Sequence, residues 1–409
     1  MESFQRNLQK LAELAVTTGV NIQPNQELEI SSNISNAELV RLITKEAYKR
    51  GAKNVHINWA DEESSLIKYL NAPEEVFDEF PEWNTLMFNE LAKRGAAFLS
   101  IVSNNPDLLK DVDPKRVAAS RKSSGEALKE WRKYMNTDKC RWSIIAAASP
   151  AWAKKVFPDL DEKEAVDKLW EEIFKCSRVT GENPTEDWNK HNNLIHEKVT
   201  FLNEMNFKTL KFKSKITDLE IGLVEGHIWL GGCSDDPNGI RFNANIPTEE
   251  VFGMPHKFKV NGTVHNTKPL VYAGNTIDNF SITFKDGKIV DFSAEKGYEV
   301  LKNLIETDEG SLYLGEVAFV PYDSPISNSN TVFYSTLFDE NASCHLAIGS
   351  AYSTNIENGP EISEDDYDKF GINKSITHVD FMFGSEDMNI VGVKEDGSEI
   401  DIFINGNWA

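Results

Sequence analysis

The first third of the chain alternates between helical and extended hydrophobic patterns. Phe4, Leu8, Leu11 and Ala15 recur at intervals of three or four residues, which predicts an amphipathic helix that ends at Gly19. Short apolar runs of strand length then alternate with helical patterns up to about residue 150. These runs read ELEIS, NVHINW, AAFLSIVS and RWSIIAAAS, and we expect NVHINW to be a buried strand. Because strands that alternate with helices form parallel βαβ units, the pattern predicts an α/β N-terminal domain with a parallel sheet.

Beyond about residue 205 the pattern changes to alternating segments, such as SITF and EIDIFI, separated by turn residues. Three Asn-Gly or Asp-Gly pairs lie between such segments and predict β-hairpins: Asn261-Gly262, Asp286-Gly287 and Asp396-Gly397. We therefore expect a β-rich α+β C-terminal domain built from antiparallel strands. The change of pattern places the boundary between residues 180 and 210, which divides the chain into domains 1–195 and 196–409.

One predicted C-terminal strand carries polar side chains that an ordinary core strand would not need. In the segment ITHVDFMFGSED, side chains of an extended chain alternate between two faces. His378 and Asp380 then share one face, while Val379 and Phe381 point the other way. An imidazole and a carboxylate side by side indicate a binding site.

A second strand pattern, SLYLGEVAFVP, contains an acidic residue in an apolar row. Alternation puts Glu316 on the same face as Leu314 and Ala318. A carboxylate buried alone is costly, so Glu316 is expected to be paired or to bind a metal ion. The alternative is that it occupies a partly exposed edge position.

Two further segments supply titratable side chains. His345 and Tyr352 are seven residues apart and would share a face if their segment is helical, with Glu340 five residues before the histidine. Glu249 and Glu250 follow a probable strand and precede a turn rich in glycine and proline. Paired acids at such a position are commonly only solvated.

Together these candidates combine several carboxylates with two imidazoles. Mixed oxygen and nitrogen ligands suit Zn, Co or Mn. Several carboxylates also suit two metal ions, because one carboxylate can bridge the ions while the others offset their charge. The set therefore predicts a metal site of a hydrolase in the C-terminal domain: Glu250, Glu316, Glu340, His345, Tyr352, His378 and Asp380.

Four segments, in order along the chain, resemble the successive signatures of the aminopeptidase T and aminopeptidase S family, metallopeptidase family twenty-nine. They read NIPTEEVFGMPHK, GEVAFVPYDSPIS, LFDENASCHLAIGSAY and THVDFMFGSEDMNIVG, and SPAWAKKVFPD extends the likeness into the first half. The resemblance implies an α/β N-terminal domain and a C-terminal domain that holds two divalent metal ions. It also implies a homodimeric aminopeptidase that removes N-terminal residues from peptides.

The resemblance further implies roles for the candidate residues. It makes metal ligands of six of them, with Glu340 as an additional candidate: Glu250, Glu316, His345, Tyr352, His378 and Asp380. Asp380 is our choice for the bridging ligand, since a short carboxylate on a rigid strand can be held between two ions. Zn, Co, Mn or Mg would acidify a water molecule and polarise the scissile carbonyl. Glu316 or Glu250 is alternatively the proton shuttle, and Tyr352 alternatively donates a hydrogen bond to the substrate.

Other patterns carry less weight. His191 and His196 are five residues apart, unlike the histidines of HExxH, and are expected to lie on the surface. Cys344 adjoins His345, but neighbours in a strand or helix point apart, which is poor geometry for a nucleophilic pair. The alternative functions are a non-catalytic metal-binding α/β protein and a thiol hydrolase that uses Cys344.

Composition limits the partners and the compartment. The formal charge of -22, from 43 basic and 65 acidic residues, argues against nucleic acid as a partner. No apolar run approaches about 18 residues, and the N-terminus lacks a signal-peptide pattern, so we expect no membrane association. The four cysteines lack CxxC spacing, which favours free thiols in a reducing compartment. The predicted location is therefore the cytoplasm.

Overall fold

A computed structural model describes residues 2–272 and 275–409 and divides the chain into two compact units. The first unit comprises the chain up to Lys190 together with Cys233–Pro247, and the second comprises His191–Gly232 and Thr248–Ala409. The predicted domains, 1–195 and 196–409, assign Cys233–Pro247 to the second half, whereas the structure includes this segment in the first unit. The chain thus returns to the first unit shortly before Glu250.

The first unit contains a parallel sheet and most of the helices. Its sheet has the strand order β2-β1-β3-β4, with all neighbouring strands parallel. The strands are β1 Glu27–Asn33, β2 Asn54–Ala60, β3 Ala97–Val102 and β4 Trp142–Ala146. The helices up to the second unit are α1 Glu2–Leu14, α2 Ala37–Lys49, α3 Glu62–Asn71, α4 Glu82–Lys93, α5 Pro114–Ala127, α6 Lys129–Asn136, α7 Pro150–Val156, α8 Glu162–Cys176 and α9 Pro184–Met205. The predicted parallel α/β architecture is confirmed.

Local sequence explains the ends of several of these helices. A five-residue π-helical turn, Ala15–Gly19, continues α1 to the predicted glycine. Ser149 caps α7 by accepting a hydrogen bond from Trp152 N, and Pro150 occupies the first turn, where a missing N–H costs nothing.

Burial in the parallel sheet follows strand position. Leu28 and Ile30 of the central strand β1 are fully buried. The expectation that NVHINW forms a buried strand is wrong, because β2 is an edge strand whose Ile57 and Trp59 are 37% and 42% exposed. Its apolar composition alone does not reveal that only one side of the strand is paired.

The chain after α9 is rich in strands. In order they are β5 Thr209–Lys213, β6 Asp218–Leu223, β7 Leu230–Gly231, β8 Ser234–Asp235, β9 Arg241–Phe242, β10 Val251–Gly253, β11 Pro255–His265, β12 Leu270–Tyr272, β13 Asn275–Lys285, β14 Lys288–Lys296, β15 Leu314–Phe319, β16 His345–Gly349, β17 His378–Met382, β18 Asn389–Val393, β19 Glu399–Ile404 and β20 Asn407–Trp408. Short helices interrupt them: α10 Tyr298–Ile305, α11 Pro325–Asn328, α12 Thr336–Asp339 and α13 Tyr367–Phe370.

Two antiparallel sheets organise the second unit. A nine-stranded sheet has the order β12-β13-β11-β6-β5-β18-β19-β20, with β14 paired to β13. A five-stranded sheet has the order β17-β16-β15-β10-β7, and β10 leads directly into β11 of the larger sheet. One face of the smaller sheet packs in the apolar core through Val317, Phe319, Leu346 and Phe381. The predicted β-rich C-terminal region is confirmed.

Two of the three predicted hairpins are confirmed. Asp286-Gly287 joins β13 to β14, and Asp396-Gly397 lies between β18 and β19. The Asn261-Gly262 prediction is wrong, since both residues lie within β11. Gly262 has a φ of 117°, and a Cβ atom there would collide with the Asp218 backbone of β6. This glycine therefore permits the close approach of two strands.

No helix in the described ranges is long and apolar enough to cross a membrane.

Candidate metal centre

Strand pairing in the five-stranded sheet gathers the candidate residues on one face. Glu316 of β15 lies opposite Ala347 of β16, and Ala347 lies opposite Asp380 of β17. Side chains directly opposite one another in neighbouring strands point to the same face. Ala347, with its small side chain, therefore stands between the two positions that carry carboxylates. His345 lies two positions before Ala347 on β16 and His378 two positions before Asp380 on β17, so both imidazoles share this face.

The other face of β17 belongs to the core. Phe381 is fully buried, and its ring meets that of Phe280 edge-on with centroids 5.6 Å apart. Val379 also packs against the same core. The predicted alternation, with polar side chains on one face and apolar ones on the other, holds in the structure.

The first group of potential ligands combines Glu250, Glu316 and His345. Glu250 directly precedes β10, the strand that pairs with β15. The Nε2 atom of His345 lies 3.1 Å from Glu250 Oε2 and 3.4 Å from Glu316 Oε1. All three side chains are largely buried, so they face one another with little competing water.

The second group combines Glu316, His378 and Asp380. The Nε2 atom of His378 lies 3.7 Å from Glu316 Oε2 and 3.4 Å from Asp380 Oδ1. The two oxygens of Glu316 thus face different histidines. In each group the potential ligand atoms lie within 4.8 Å of one another, and Glu316 is the carboxylate that both groups share.

Backbone carbonyls orient both imidazoles. Nδ1 of His378 lies 2.7 Å from Ser350 O, and Nδ1 of His345 lies 3.3 Å from Ser343 O. A ring nitrogen that faces a carbonyl oxygen carries the proton and donates it, which leaves Nε2 to face the carboxylates. Metal-binding histidines are oriented in this way by their second nitrogen.

The electrostatics of the cluster favour cations. Burial by itself lowers the pKa of His378, but Asp380 and Glu316 outweigh it and raise that pKa to about 10. Burial likewise opposes protonation of His345, yet Glu250 and Glu316 raise its pKa well above the usual range. The carboxylates therefore hold protons on the imidazoles, and a divalent ion can take the place of such protons.

Two further observations fit divalent ions. The buried Oδ1 atom of Asp380 accepts no well-aligned hydrogen bond from any described residue, although His378 is 3.4 Å away. Burial raises the pKa of Glu316, and a hydrogen bond from His345 offsets only part of this effect. Buried carboxylates with unfilled acceptor positions beside imidazole nitrogens are a suitable donor set for zinc, cobalt or manganese.

Tyr352 lies beside the second group, and its segment is not helical. His345 begins β16, and Tyr352 follows that strand just before a turn at Ser353–Asn355. Its ring centroid is 4.7 Å from that of His378, and 43% of the residue remains exposed. Desolvation and then the nearby carboxylates, Glu316 first, raise the pKa of its hydroxyl well above the usual value. The phenol therefore keeps its proton in this environment.

Glu340 lies near the cluster but joins neither group of potential ligands. It begins a single 3-10 turn after α12, and Asn341 Nδ2 is 3.4 Å from its Oε1 atom. Burial, followed by repulsion from Glu250 and Asp380, raises its pKa well above the usual range.

The expectation that His191 lies on the surface is wrong. Its side chain is only 12% exposed, and its Nε2 atom lies 2.7 Å from Thr248 O and 3.6 Å from Glu249 Oε2. Glu249 N also donates to Asn341 Oδ1 at 2.7 Å. His191 and Asn341 therefore hold the backbone immediately before Glu250. No spacing in the sequence connects these residues, because their contacts arise from the tertiary fold.

Cys344 does not have the surroundings of a nucleophile. It is 2% exposed, and burial raises the pKa of its thiol to about 11. Its Sγ atom lies 3.4 Å from Val320 O in the core. Because the thiolate is the reactive form, this site does not support the thiol-hydrolase alternative.

A sheet face that presents three carboxylates and two oriented imidazoles defines the class of a metal-dependent hydrolase. A family model described as thermophilic metalloprotease (M29) matches residues 4–408. The chain belongs to this family, as its sequence motifs predicted, and the predicted divalent metal cofactor agrees with that membership.

Relatives over the full length give the same result. The chain is 54% identical to aminopeptidase AmpS of Bacillus subtilis, covering 100% of both chains, and 53% identical to aminopeptidase 2 of Geobacillus stearothermophilus, covering 100% and 99%. The structure of wild-type AmpT from Thermus thermophilus is similar with a TM-score of 0.94 at 40% identity, covering 99% of this chain and 100% of that one. The predicted function, a metal-dependent aminopeptidase, is confirmed by the family and these relatives.

Proposed function

We propose that the aminopeptidase reaction takes place on the sheet face formed by β15, β16 and β17 together with the start of β10. The observation that carries this proposal is the pair of ligand groups that share Glu316. Each group is completed by a histidine whose Nδ1 atom faces a backbone carbonyl. Two divalent ions would be held by five side chains: Glu250, Glu316, His345, His378 and Asp380.

The sharing of Glu316 supports a change in the predicted bridging role. Its two oxygens face different histidines, whereas Asp380 belongs to the second group alone. We therefore propose Glu316, rather than Asp380, as the carboxylate common to both ions. Zn, Co, Mn or Mg ions bound there would supply Lewis acidity toward a carbonyl and acidify a water molecule.

The protein's own groups would orient the substrate and move protons. Tyr352 is protonated and stands at the exposed rim beside His378, so its hydroxyl is suited to donate a hydrogen bond to the scissile carbonyl oxygen. Of the two predicted proton shuttles, Glu316 belongs to both groups and Glu250 to one, so Glu250 would keep one oxygen to move a proton while the other holds an ion.

Removal and return of metal ions test this function. Chelation of the purified protein should abolish hydrolysis of aminoacyl nitroanilides, and Zn, Co or Mn should restore it. A thiol blocker should leave the metal-loaded protein active, since the buried Cys344 thiol is not used. Full activity of metal-free protein would contradict the proposal, and a reloaded protein without turnover would indicate a non-catalytic metal-binding protein.

We also propose a cytoplasmic location, a homodimer and a division into two domains. The cytoplasmic location is supported by the absence of CxxC spacing among the four cysteines, which suits a reducing compartment. The homodimer rests on the family resemblance and is tested by light scattering of the purified protein. The two compact units are proposed as the two domains, with Cys233–Pro247 in the first.

A further inference from the structure

Apolar side chains continue the sheet face that carries the ligand groups. Phe252 of β10 lies opposite Ala318 of β15, and Ala318 lies opposite His345 of β16. Residues directly opposite one another point to the same face of a sheet, so the Phe252 ring lies on the side of the ligand groups. Leu230 of β7 lies opposite Phe252 on its other flank. Phe252 and Leu230 are both only half-buried, so this face ends in accessible apolar surface at β10 and β7.

The Phe252 ring also lies close to both ligand groups. It meets the Tyr352 ring edge-on with centroids 6.3 Å apart, and the Tyr352 centroid is 4.7 Å from that of His378. Glu250, two positions before Phe252, has its Oε2 atom 3.1 Å from His345 Nε2. Phe252 therefore adjoins the first group through Glu250 and the second group through Tyr352.

The ligand groups are open to solvent on the side where these aromatic rings lie. The exposed fraction of the side chain is 1% for His345 and 7% for Glu316, but 19% for His378. Tyr352, beside His378, is exposed over 43% of the residue. A peptide that reaches the ligand groups therefore passes Tyr352, and the half-buried Phe252 ring stands next to it.

The chemistry of an aminopeptidase substrate brings a side chain to this surface. The side chain of the first residue branches from a Cα atom that lies about 1.5 Å from the scissile carbonyl carbon. The side chain of the second residue branches one bond farther away, beyond the amide nitrogen. A carbonyl held at the ligand groups therefore keeps the first side chain nearest to them. Contact between that side chain and a half-buried apolar surface is favourable when the side chain is itself apolar.

We propose that Phe252, together with Leu230 and the Tyr352 ring, contacts the side chain of the substrate's first residue and favours large apolar side chains over alanine. This proposal rests on the proposed function of the same site. It makes Phe252 a specificity-determining residue and leaves the reaction chemistry to the ligand groups and to Tyr352.

Aminoacyl nitroanilides that differ only in the first residue test the assignment, because their leaving group is constant. The metal-loaded wild type should hydrolyse phenylalanyl nitroanilide with a kcat/KM about tenfold or more above that for alanyl nitroanilide. Phe252→Ala should lower this ratio about tenfold, mainly through a higher KM for the phenylalanyl substrate. Its kcat/KM for the alanyl substrate should stay within about twofold of the wild-type value, with wild-type metal content.

Phe258→Ala is the matched control. Phe258 is also a partly exposed phenylalanine with an edge-on tyrosine, Tyr313, at 5.9 Å between ring centroids. It lies in β11, outside the five-stranded sheet, so this variant should retain the wild-type preference for the phenylalanyl substrate. If Phe252→Ala does not fold, Phe252→Leu keeps an apolar side chain without the ring, and the ratio should fall about threefold with unchanged metal content.

The other outcomes refute specific statements. An equal loss of kcat/KM for both substrates in Phe252→Ala would mean that Phe252 only supports Tyr352 and does not contact the substrate. An unchanged ratio in this variant, or a wild type that does not distinguish the two substrates, would refute the specificity role and leave the proposed function standing. If the metal-loaded wild type hydrolysed neither nitroanilide, the proposed function itself would be wrong.

Discussion

Glu29 on β1 and Asp380 on β17 are both strand carboxylates with little exposure, but their surroundings differ. Glu29 is 2% exposed, and its only described side-chain partner is the Ser31 hydroxyl at 2.7 Å. Burial raises its pKa to about 7. The Asp380 side chain is 12% exposed, and although burial opposes ionisation, His378 at 3.4 Å outweighs it and lowers the pKa of Asp380.

Glu29 is a buried acid without a cationic partner among the described residues, whereas Asp380 is part of a candidate binding site. In the first unit, desolvation dominates and favours the neutral carboxylic acid. In the second, His378 on the same strand outweighs desolvation and lowers the pKa of Asp380, which favours a charged carboxylate that can bind a cation. Burial of an acidic residue on a strand is therefore insufficient evidence for a metal site, and the paired histidine is the informative observation.

The largest effect is expected from Asp380→Asn. A neutral amide cannot balance a divalent ion as a carboxylate does, so metal content should fall and the rate should drop on the order of a thousandfold or more. Metal analysis and nitroanilide hydrolysis measure the two effects. Glu386→Gln, at an exposed position beyond the same strand, is the control and should change neither. Full metal content in Asp380→Asn would mean that Asp380, like Glu29, is only a buried carboxylate and does not hold a metal ion.

Glu29→Gln should stabilise the protein above neutral pH. Below about pH 4.5 the side chain is neutral in both the folded and the unfolded chain. Between pH 4.5 and about 7 the unfolded chain ionises first, so wild-type stability falls as pH rises. Above pH 7 the full cost is roughly 3 kcal/mol, and the variant should regain about that much while showing little change at pH 4.

Urea unfolding at both pH values measures the effect of Glu29→Gln. Glu27→Gln is the control on the same strand, since Glu27 pairs with Arg94 at 3.2 Å and should contribute less than about 1 kcal/mol. The same pH dependence in wild type and Glu29→Gln would show that Glu29 is ionised in the fold.

Tyr352→Phe tests whether Tyr352 binds a metal ion or only donates a hydrogen bond to the substrate. The variant keeps the ring beside His378 and removes the hydroxyl, so kcat should fall about tenfold to a hundredfold through loss of one hydrogen bond to a developing charge. Metal affinity and the absorption spectrum of the cobalt-loaded protein should stay unchanged. A weakened metal site or an altered cobalt spectrum would instead make Tyr352 a ligand.

The smallest effect is expected from Phe381→Leu, on the opposite face of the Asp380 strand. Loss of ring contacts with Phe280 should cost roughly 1 kcal/mol of stability, or somewhat more if the core does not repack. Thermal unfolding measures this cost, and metal content should remain that of the wild type. Metal loss equal to that of Asp380→Asn would mean that the two strand faces are not functionally distinct.

Predictions from sequence succeeded where a local rule applied. Asp286-Gly287 and Asp396-Gly397 lie in turns between paired strands, whereas Asn261-Gly262 is also a typical turn pair but lies within β11 and serves strand packing. The apolar run of β2 likewise predicted a strand but not its exposed edge position. Local composition specifies the conformation that a segment can adopt, and its neighbours decide how that segment is used.

The sequence by itself determined that His378 and Asp380 face away from Phe381, because alternation is a property of the extended backbone. It also supplied the family motifs and the acidic and imidazole side chains of the metal site. Only the tertiary structure decided that Glu316 is shared between two groups, that His191 is buried beside Glu249, and that Glu340 stands apart from both groups. These relations depend on the register and order of strands far apart in the chain, which pairing between distant segments selects.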